Sequence, residues 1–314
     1  MGFYAPDSLI HEAQRRGIEI LPADVNHSDH ECTATREGAI RLGLSYIKGL
    51  RDDDARRLLA ARGRGGYRSL EQLAATAGVS AATLERLAWS GACDLLAGGG
   101  PHARRVALWQ LGVATPAYTT PAGGQLALEL PLDQAPGLPA LTPWEQMLAD
   151  YQATGVCIGQ HPVELLRPML DQQGATQINQ LPGVAHGTNV VVGGLVIARQ
   201  RPQTANGIIF LLLEDAGGNL NVIVPEKLYV PHRLTIRTEP LVLVHGHVER
   251  HIAGGGAVNL LATRLQPLHP ADPTATVRQL HPKQPKPNTA VAGSDGEDFK
   301  AAAPTVTSFG RGRR

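Results

Sequence analysis

Six basic side chains, Arg199, Arg201, Lys227, Arg233, Arg237 and Arg250, lie in or beside a series of short apolar runs, with Phe210 and Tyr229 among them. Cations around the rim of a small β-barrel hold phosphate oxygens, and aromatic faces stack bases. The set therefore predicts contact with single-stranded nucleic acid. A stacked base contributes about 1–3 kcal/mol. Aromatic residues make up only 4% of the chain, so salt-sensitive phosphate contact is expected to dominate. Arg199 and Arg201, next to Pro202, are the strongest candidates in this set. Phe210 sits in an apolar run and is expected in the core, although it is also a candidate stacking platform.

A second set is Lys48, Gly49, Arg51, Arg86 and Gly91. These residues fall at tight turns between short helices, an arrangement that resembles tandem helix-hairpin-helix units. In such units, backbone amides and helix N-termini hold DNA phosphates without reading sequence. Arg51 stands where the motif usually has its second glycine, which weakens the first hairpin as a phosphate nest. The same pattern also suits a helical packing module. Asp52, Asp53 and Asp54 look like metal-binding acids, but consecutive acids at a helix start are expected to serve as dipole partners.

Three further groups carry less. His27, His30 and Cys32 are close together but lack a second ligand pair at zinc spacing, so a solvated loop is expected. His245, His247 and His251 lie along a strand and are expected on an exposed face, and no metal site is expected anywhere in the chain. Gln125, Leu126 and Leu128, in QLALEL, loosely resemble peptides that dock on a sliding clamp, with Glu129 in place of the apolar anchor.

The elements that must position these groups follow from periodicity. Asn189–Ile197, Gly207–Leu213, Leu220–Val224, Leu241–Val248 and Val258–Leu265 read as five strands. An Asp/Gly/Asn turn joins the second to the third, and Glu226–Arg237 supplies a helix or covering loop after the third. The Gly193-Gly194 pair is expected to bend or bulge the first strand. Five strands in this order, with the insertion there, match an OB barrel.

Upstream, a helix with Asp7 or Ser8 as cap, Leu9, Ile10 and Ala13, and a stop at Gly17 precedes a short strand, Ile18–Leu21. Helices are expected over 52–62, after the Ser69 and Ser80 caps, over 104–109, and after the Thr142-Pro143-Trp144-Glu145 capping box. Residues 112–141 read as a Pro/Gly/Ala linker and 269–314 as a disordered tail. The fold class is therefore α+β and multi-domain. Tandem helix-hairpin-helix is followed by a five-stranded OB barrel and a tail.

Net charge is +1, from 29 basic and 28 acidic residues, so charge must be read locally. Residues 36–111 hold twelve Lys/Arg against seven Asp/Glu, and 278–314 hold seven against three. Three scattered cysteines argue against a disulfide framework. No signal peptide or membrane-length apolar run is visible, so a cytoplasmic location without membrane contact is expected.

These pieces together resemble the C-terminal part of bacterial C-family DNA polymerases, and more closely the error-prone (DnaE-like, ImuC-type) branch. GFYAPDSL (2–9), DVNHSD (24–29), RLGLSYIKGL (41–50), LERLAWSGACD (84–94), RRVALW (104–109), DYQATGVCIGQHP (150–162), RQRPQTANGIIFLLLED (199–215) and NVIV (221–224) carry the resemblance, in family order. The resemblance implies the end of a fingers region over 1–38, helix-hairpin-helix over 39–111, a linker over 112–141, a helical connector over 142–187 and an OB domain over 188–268.

The resemblance also implies DNA binding in support of error-prone, translesion nucleotidyl transfer during replication and damage repair. The palm aspartates with their Mg²⁺ ions and the phosphoesterase-like domain fall outside the resemblance. The chain alone is therefore expected to be inactive and to carry no cofactor, and a separate palm-bearing chain is an expected partner. A module that docks accessory mutagenesis proteins or the sliding clamp is the alternative reading.

Overall fold

The computed structural model describes residues 5–114, 137–202, 205, 207–250, 257–269 and 307–309. The chain divides into two compact units, one over Tyr4–His161 and one mainly over Pro162–Arg314. The stretch 142–187, expected as one connector, is divided between them.

The first unit begins with α1 (Pro6–Arg15) and three two-residue strands, β1 (Ile20–Leu21), β2 (Thr33–Ala34) and β3 (Ile40–Arg41), arranged β1-β3-β2. Ala5, not Asp7 or Ser8, is the N-cap of α1. Asp7 is buried in the first turn, where it accepts from Tyr151 Oη at 3.0 Å and from the Cys157 amide at 3.0 Å. A cap faces outward, and these two partners draw the carboxylate inward instead.

A 3₁₀ turn (Leu44–Tyr46) leads to α2 (Asp52–Arg62), α3 (Leu70–Thr76), α4 (Ala81–Trp89), α5 (Ala103–Ala114) and α6 (Pro143–Ala153). Ser69 and Ser80 cap α3 and α4 by accepting from Gln72 and Thr83 amides, each at 3.2 Å. Thr142 and Glu145 form the reciprocal capping box of α6, with Pro143 in its first turn. Each satisfied cap contributes about 1 kcal/mol.

One core joins these pieces. Ile10, Ile20 and Val25 pack with Leu44, Ile47, Leu58, Leu73, Leu84 and Leu87. Residues 5–38 therefore share a core with the hairpin helices.

The second unit contains α7 (Pro162–Leu165), α8 (Arg167–Gln172) and a 3₁₀ segment (Ile178–Gly183), followed by the strands β4 (Asn189–Gln200), β5 (Ile209–Asp215) and β6 (Gly218–Val224). Then come α9 (Glu226–Thr238), β7 (Leu241–Arg250) and β8 (Val258–Pro267). The strand order is β5-β6-β8-β7-β4, and β4 closes back on β5. β6 runs parallel to β8 and the other barrel neighbours are antiparallel. This is the five-stranded OB barrel with its helix after the third strand.

Alternation decides which side chains fill it. Ile209, Leu211 and Leu213 on β5 point inward with Leu220, Val222 and Val224 on β6. Truncating one such Leu to Ala typically costs about 2–5 kcal/mol.

The register shift in β4 falls between Val196 and Ala198, beyond the glycine pair. Gly193 and Gly194 instead admit neighbours. A Cβ on Gly193 would lie 2.5 Å from Leu170 Cδ2, and one on Gly194 2.9 Å from Leu213 Cβ.

Within the expected disordered tail, β9 (Thr307–Phe309) forms a strand that pairs parallel to Ala198–Gln200 of β4. β7 pairs with β4 only up to Leu195, so that edge is open beyond it. Composition could not foresee backbone pairing there.

Candidate nucleic-acid interface

The two hairpins of the helical unit are unlike. In the first, Ile47 anchors the turn in the core, and the Leu50 amide donates to Ile47 O at 3.1 Å. Gly49 is exposed with φ +76°, a left-handed conformation that favours glycine. A Cβ there would sit 3.1 Å from Arg86 Nε, so Arg86 of α4 lies against this turn. Lys48, Gly49, Arg51 and Arg86 are all exposed. The structure thus brings four of the five expected residues to one place.

Lys48 is also bound into the scaffold. Its amide donates to Ala153 O at 2.8 Å, and Nζ donates to Tyr151 O at 2.6 Å, both in the last turn of α6. A cation at a helix C-terminus is stabilised by the carbonyls there. Burial of the stem lowers the Lys48 pKa from the ordinary lysine value.

Arg51 is the N-cap position of α2, and Asp52, Asp53 and Asp54 follow it. Asp53 pairs with Arg56 at 2.6 Å, and Asp54 is buried between Arg57 and the Thr83 hydroxyl. The Arg56 and Arg57 partners hold both carboxyls below the usual range. These acids complement the α2 N-terminus and oppose phosphate at it.

Gly91, in the second hairpin, departs from expectation. It has φ +80° but is buried, and its amide donates to Ala88 O at 3.0 Å. The Arg104 guanidinium occupies the space where a Cβ would be. Arg104 is 7% exposed and joins Asp150 (2.6 Å) to Asp94 (3.2 Å). Gly91 therefore makes room for a buried ion triad instead of presenting an amide to phosphate.

The barrel's cations divide in the same way. Arg199 Nε donates to Ile236 O at 2.7 Å and its Nη2 to Glu239 O at 2.5 Å, at the end of α9. Burial depresses its pKa to about 10. Arg250 donates to Val184 O at 2.8 Å and also reaches the Leu181 and Pro182 carbonyls beside the 3₁₀ segment. Both guanidiniums are thus held to carbonyls at helix ends.

Arg201 is exposed, with its guanidinium 4.9 Å from the centroid of Tyr229. A cation over an aromatic face holds that ring and keeps its own donors outward. Lys227, Arg233 and Arg237 of α9 are exposed as well.

Phe210 also departs from the core expectation. β5 alternates, so Phe210 and Leu212 are half-buried on the outer face while their neighbours point inward. Phe210 pairs with Ile223, which pairs with Leu261, giving an apolar strip across three strands. Beside it, Asn221 Nδ2 donates to Asn259 Oδ1 at 3.0 Å. This strip was not singled out from sequence; the alternation of Leu212 and Asn221 with inward residues was the signal.

His27 pairs with Asp24 at 2.7 Å, and His30 lies between Glu31 (3.0 Å) and Asp52 (3.3 Å). Gln125, Leu126, Leu128 and His251 lie outside the described residues.

Residues 17–104 match the helix-hairpin-helix motif family, and residues 190–268 match the OB-fold nucleic acid binding domain. An error-prone DNA polymerase of Alkalilimnicola ehrlichii is 40% identical over 85% of this chain and 25% of its own length. Those of Corynebacterium efficiens and Pseudomonas paraeruginosa are 40% and 38% identical, over 24% and 26% of their lengths. The chain is homologous to part of the error-prone DNA polymerases. It spans about a quarter of the length of these relatives. The helix-hairpin-helix match begins at residue 17, which agrees with the shared core of β1 and the hairpin helices. Among the described residues, no helix is long and apolar enough to cross a membrane.

Proposed function

We propose that this chain is the DNA-handling part of an error-prone DNA polymerase. The first hairpin grips duplex phosphates through Lys48, Arg51 and Arg86. The outer barrel face guides single-stranded template over Phe210, with Arg201, Lys227, Arg233 and Arg237 on the phosphates. The observation that carries this reading is the half-buried Phe210–Ile223–Leu261 strip on the outer face of a barrel that also carries exposed cations, on a fold that matches a nucleic-acid-binding family. Such a surface binds any base through its π-face and any backbone through its charge.

The chain's own residues bind and orient DNA. Two Mg²⁺ ions in a palm would supply the in-line nucleotidyl transfer, including opposite damaged template in cytoplasmic repair synthesis. The palm comes from the same polymerase or from a separate chain. The purified chain is therefore expected to bind primer–template DNA without extending it.

Fluorescence anisotropy with single-stranded and primer–template DNA tests the binding. Phe210→Ala should weaken single-strand binding about fivefold or more, the loss of one stacked base. Equal affinity in wild type and variant would refute the barrel-face assignment.

One observation favours a second role. Val230 and Leu234 of α9 are 71% and 74% exposed between Lys227, Arg233 and Arg237. An apolar, basic stripe of this kind suits an accessory mutagenesis protein, while Gln125, Leu126 and Leu128 would reach a sliding clamp. Clamp capture that is unchanged by Gln125→Ala/Leu128→Ala would end the clamp assignment.

A further inference from the structure

Beside the first hairpin, α4 and α6 flank an open cavity of about 390 Å³. Lys48, Arg86, Trp89, Glu85 and Gln152 line it, together with three alanines. The lining is unlike an ordinary packing defect, because it combines one large aromatic ring, two cations and two hydrogen-bonding side chains.

Trp89 is the most informative of these residues. Leu84, Leu87 and Ala88 fill the core from α4, whereas Trp89 keeps 40% of its surface exposed. A large ring left partly uncovered, one helical turn from Arg86, presents a stacking face with a phosphate-binding group beside it. Ala82 of α4 and Ala149 and Ala153 of α6 add apolar lining.

The charged groups suit the rest of a nucleotide. The Lys48 ammonium donates once to Tyr151 O, and its three donors allow further bonds. The Arg86 guanidinium, against Gly49, has the fork that fits phosphate oxygens. Glu85 accepts from an exocyclic base amine, and Gln152 both donates and accepts.

We propose that this cavity takes one unpaired nucleotide, its base laid on Trp89 and its phosphate held by Lys48 and Arg86. This rests on the DNA-handling reading and deepens it. A duplex with an extrahelical nucleotide would be held at the hairpin through that nucleotide as well as through its backbone. The same chemistry would admit a free nucleotide.

Tryptophan emission of the full chain reads occupancy directly. The chain has three tryptophans, so the Trp89 signal is the difference between wild type and Trp89→Leu. The probes are a fully paired duplex, the same duplex with one bulged adenine, and deoxyadenosine monophosphate. The bulged duplex should quench the Trp89 signal saturably and bind about 5- to 150-fold more tightly than the paired one, the range of one stacked base.

Arg86→Ala should lessen that preference, and Trp89→Phe, which keeps a stacking face, should retain part of it. Circular dichroism of each variant separates these losses from unfolding. Quenching by the monophosphate as well would identify free nucleotides as a second source of the ligand. No Trp89 response to either nucleotide-bearing probe would overturn the proposal. Anisotropy on the same samples then separates the two levels. Duplex binding without a Trp89 signal leaves the DNA-handling reading standing, and absence of both removes it too.

Discussion

The two hairpins of the helical unit start from similar sequence and end in different roles. Each turns on a left-handed glycine, Gly49 at φ +76° and Gly91 at φ +80°. At Gly49 the neighbouring arginine, Arg86, is exposed and adjoins the cavity. At Gly91 the neighbouring arginine, Arg104, is buried and consumed by Asp94 and Asp150. A hairpin glycine therefore says that the turn is tight, and the partner of the nearest arginine says whether that turn serves a ligand or the core. The barrel repeats the lesson, with Arg201 displayed over Tyr229 and Arg199 clamped to the end of α9.

The largest effect should come from breaking the buried member of the pair. Arg104→Met leaves Asp94 and Asp150 without their cation, which should cost about 3–5 kcal/mol. Chemical denaturation of the variant checks this. A loss below about 1 kcal/mol would mean that the triad is replaceable.

Alanine at the two glycines sharpens the contrast. Each substitution carries about 1–2 kcal/mol for a left-handed backbone. Gly91→Ala must also displace Arg104, so it should be the more destabilising of the two in a thermal melt. Gly49→Ala meets only the Arg86 side chain and should instead weaken duplex binding. The reverse order of stabilities would collapse the distinction between the hairpins.

A smaller effect is expected in alkali. Tyr67 is buried behind α2 and donates to Leu58 O at 2.7 Å, and burial pushes its pKa up to about 12. Between about pH 10 and 12 the unfolded chain has lost a proton that the folded chain keeps. Tyr67 should therefore contribute a loss of stability as pH rises through that window, by at most about 1.4 kcal/mol per pH unit. The slope of Tyr67→Phe should lack that contribution, while the other groups that titrate there, Arg199 and Tyr46 among them, are common to both chains. The lost hydrogen bond lowers stability by about 1 kcal/mol below about pH 10.

Much of the architecture was legible in sequence because its signals are local. Strand alternation, the Ser69, Ser80 and Thr142 caps and the turn at Asp215 each lie within a few residues, and the OB strand order follows from them. The interface was less legible because it depends on distant partners. Nothing near Arg199 announces the carbonyls of Ile236 and Glu239, and nothing near Arg250 announces Val184. Gly91 is covered by Arg104 thirteen positions later, and Asp7 meets Tyr151 and Cys157 across most of the helical unit. Trp89 and Phe210 could have been placed by asking which face of their own element they share, since each falls out of phase with its core neighbours.

The most direct test of the central claim compares Arg201→Ala with Arg199→Met in single-strand binding across a salt series. Wild type should weaken linearly in log affinity against log salt. Arg201→Ala should lower that slope by about 0.7, one phosphate contact on a single strand. Arg199→Met should leave the slope unchanged while lowering thermal stability. Equal slope losses in the two variants, or no binding even at low salt, would contradict the account.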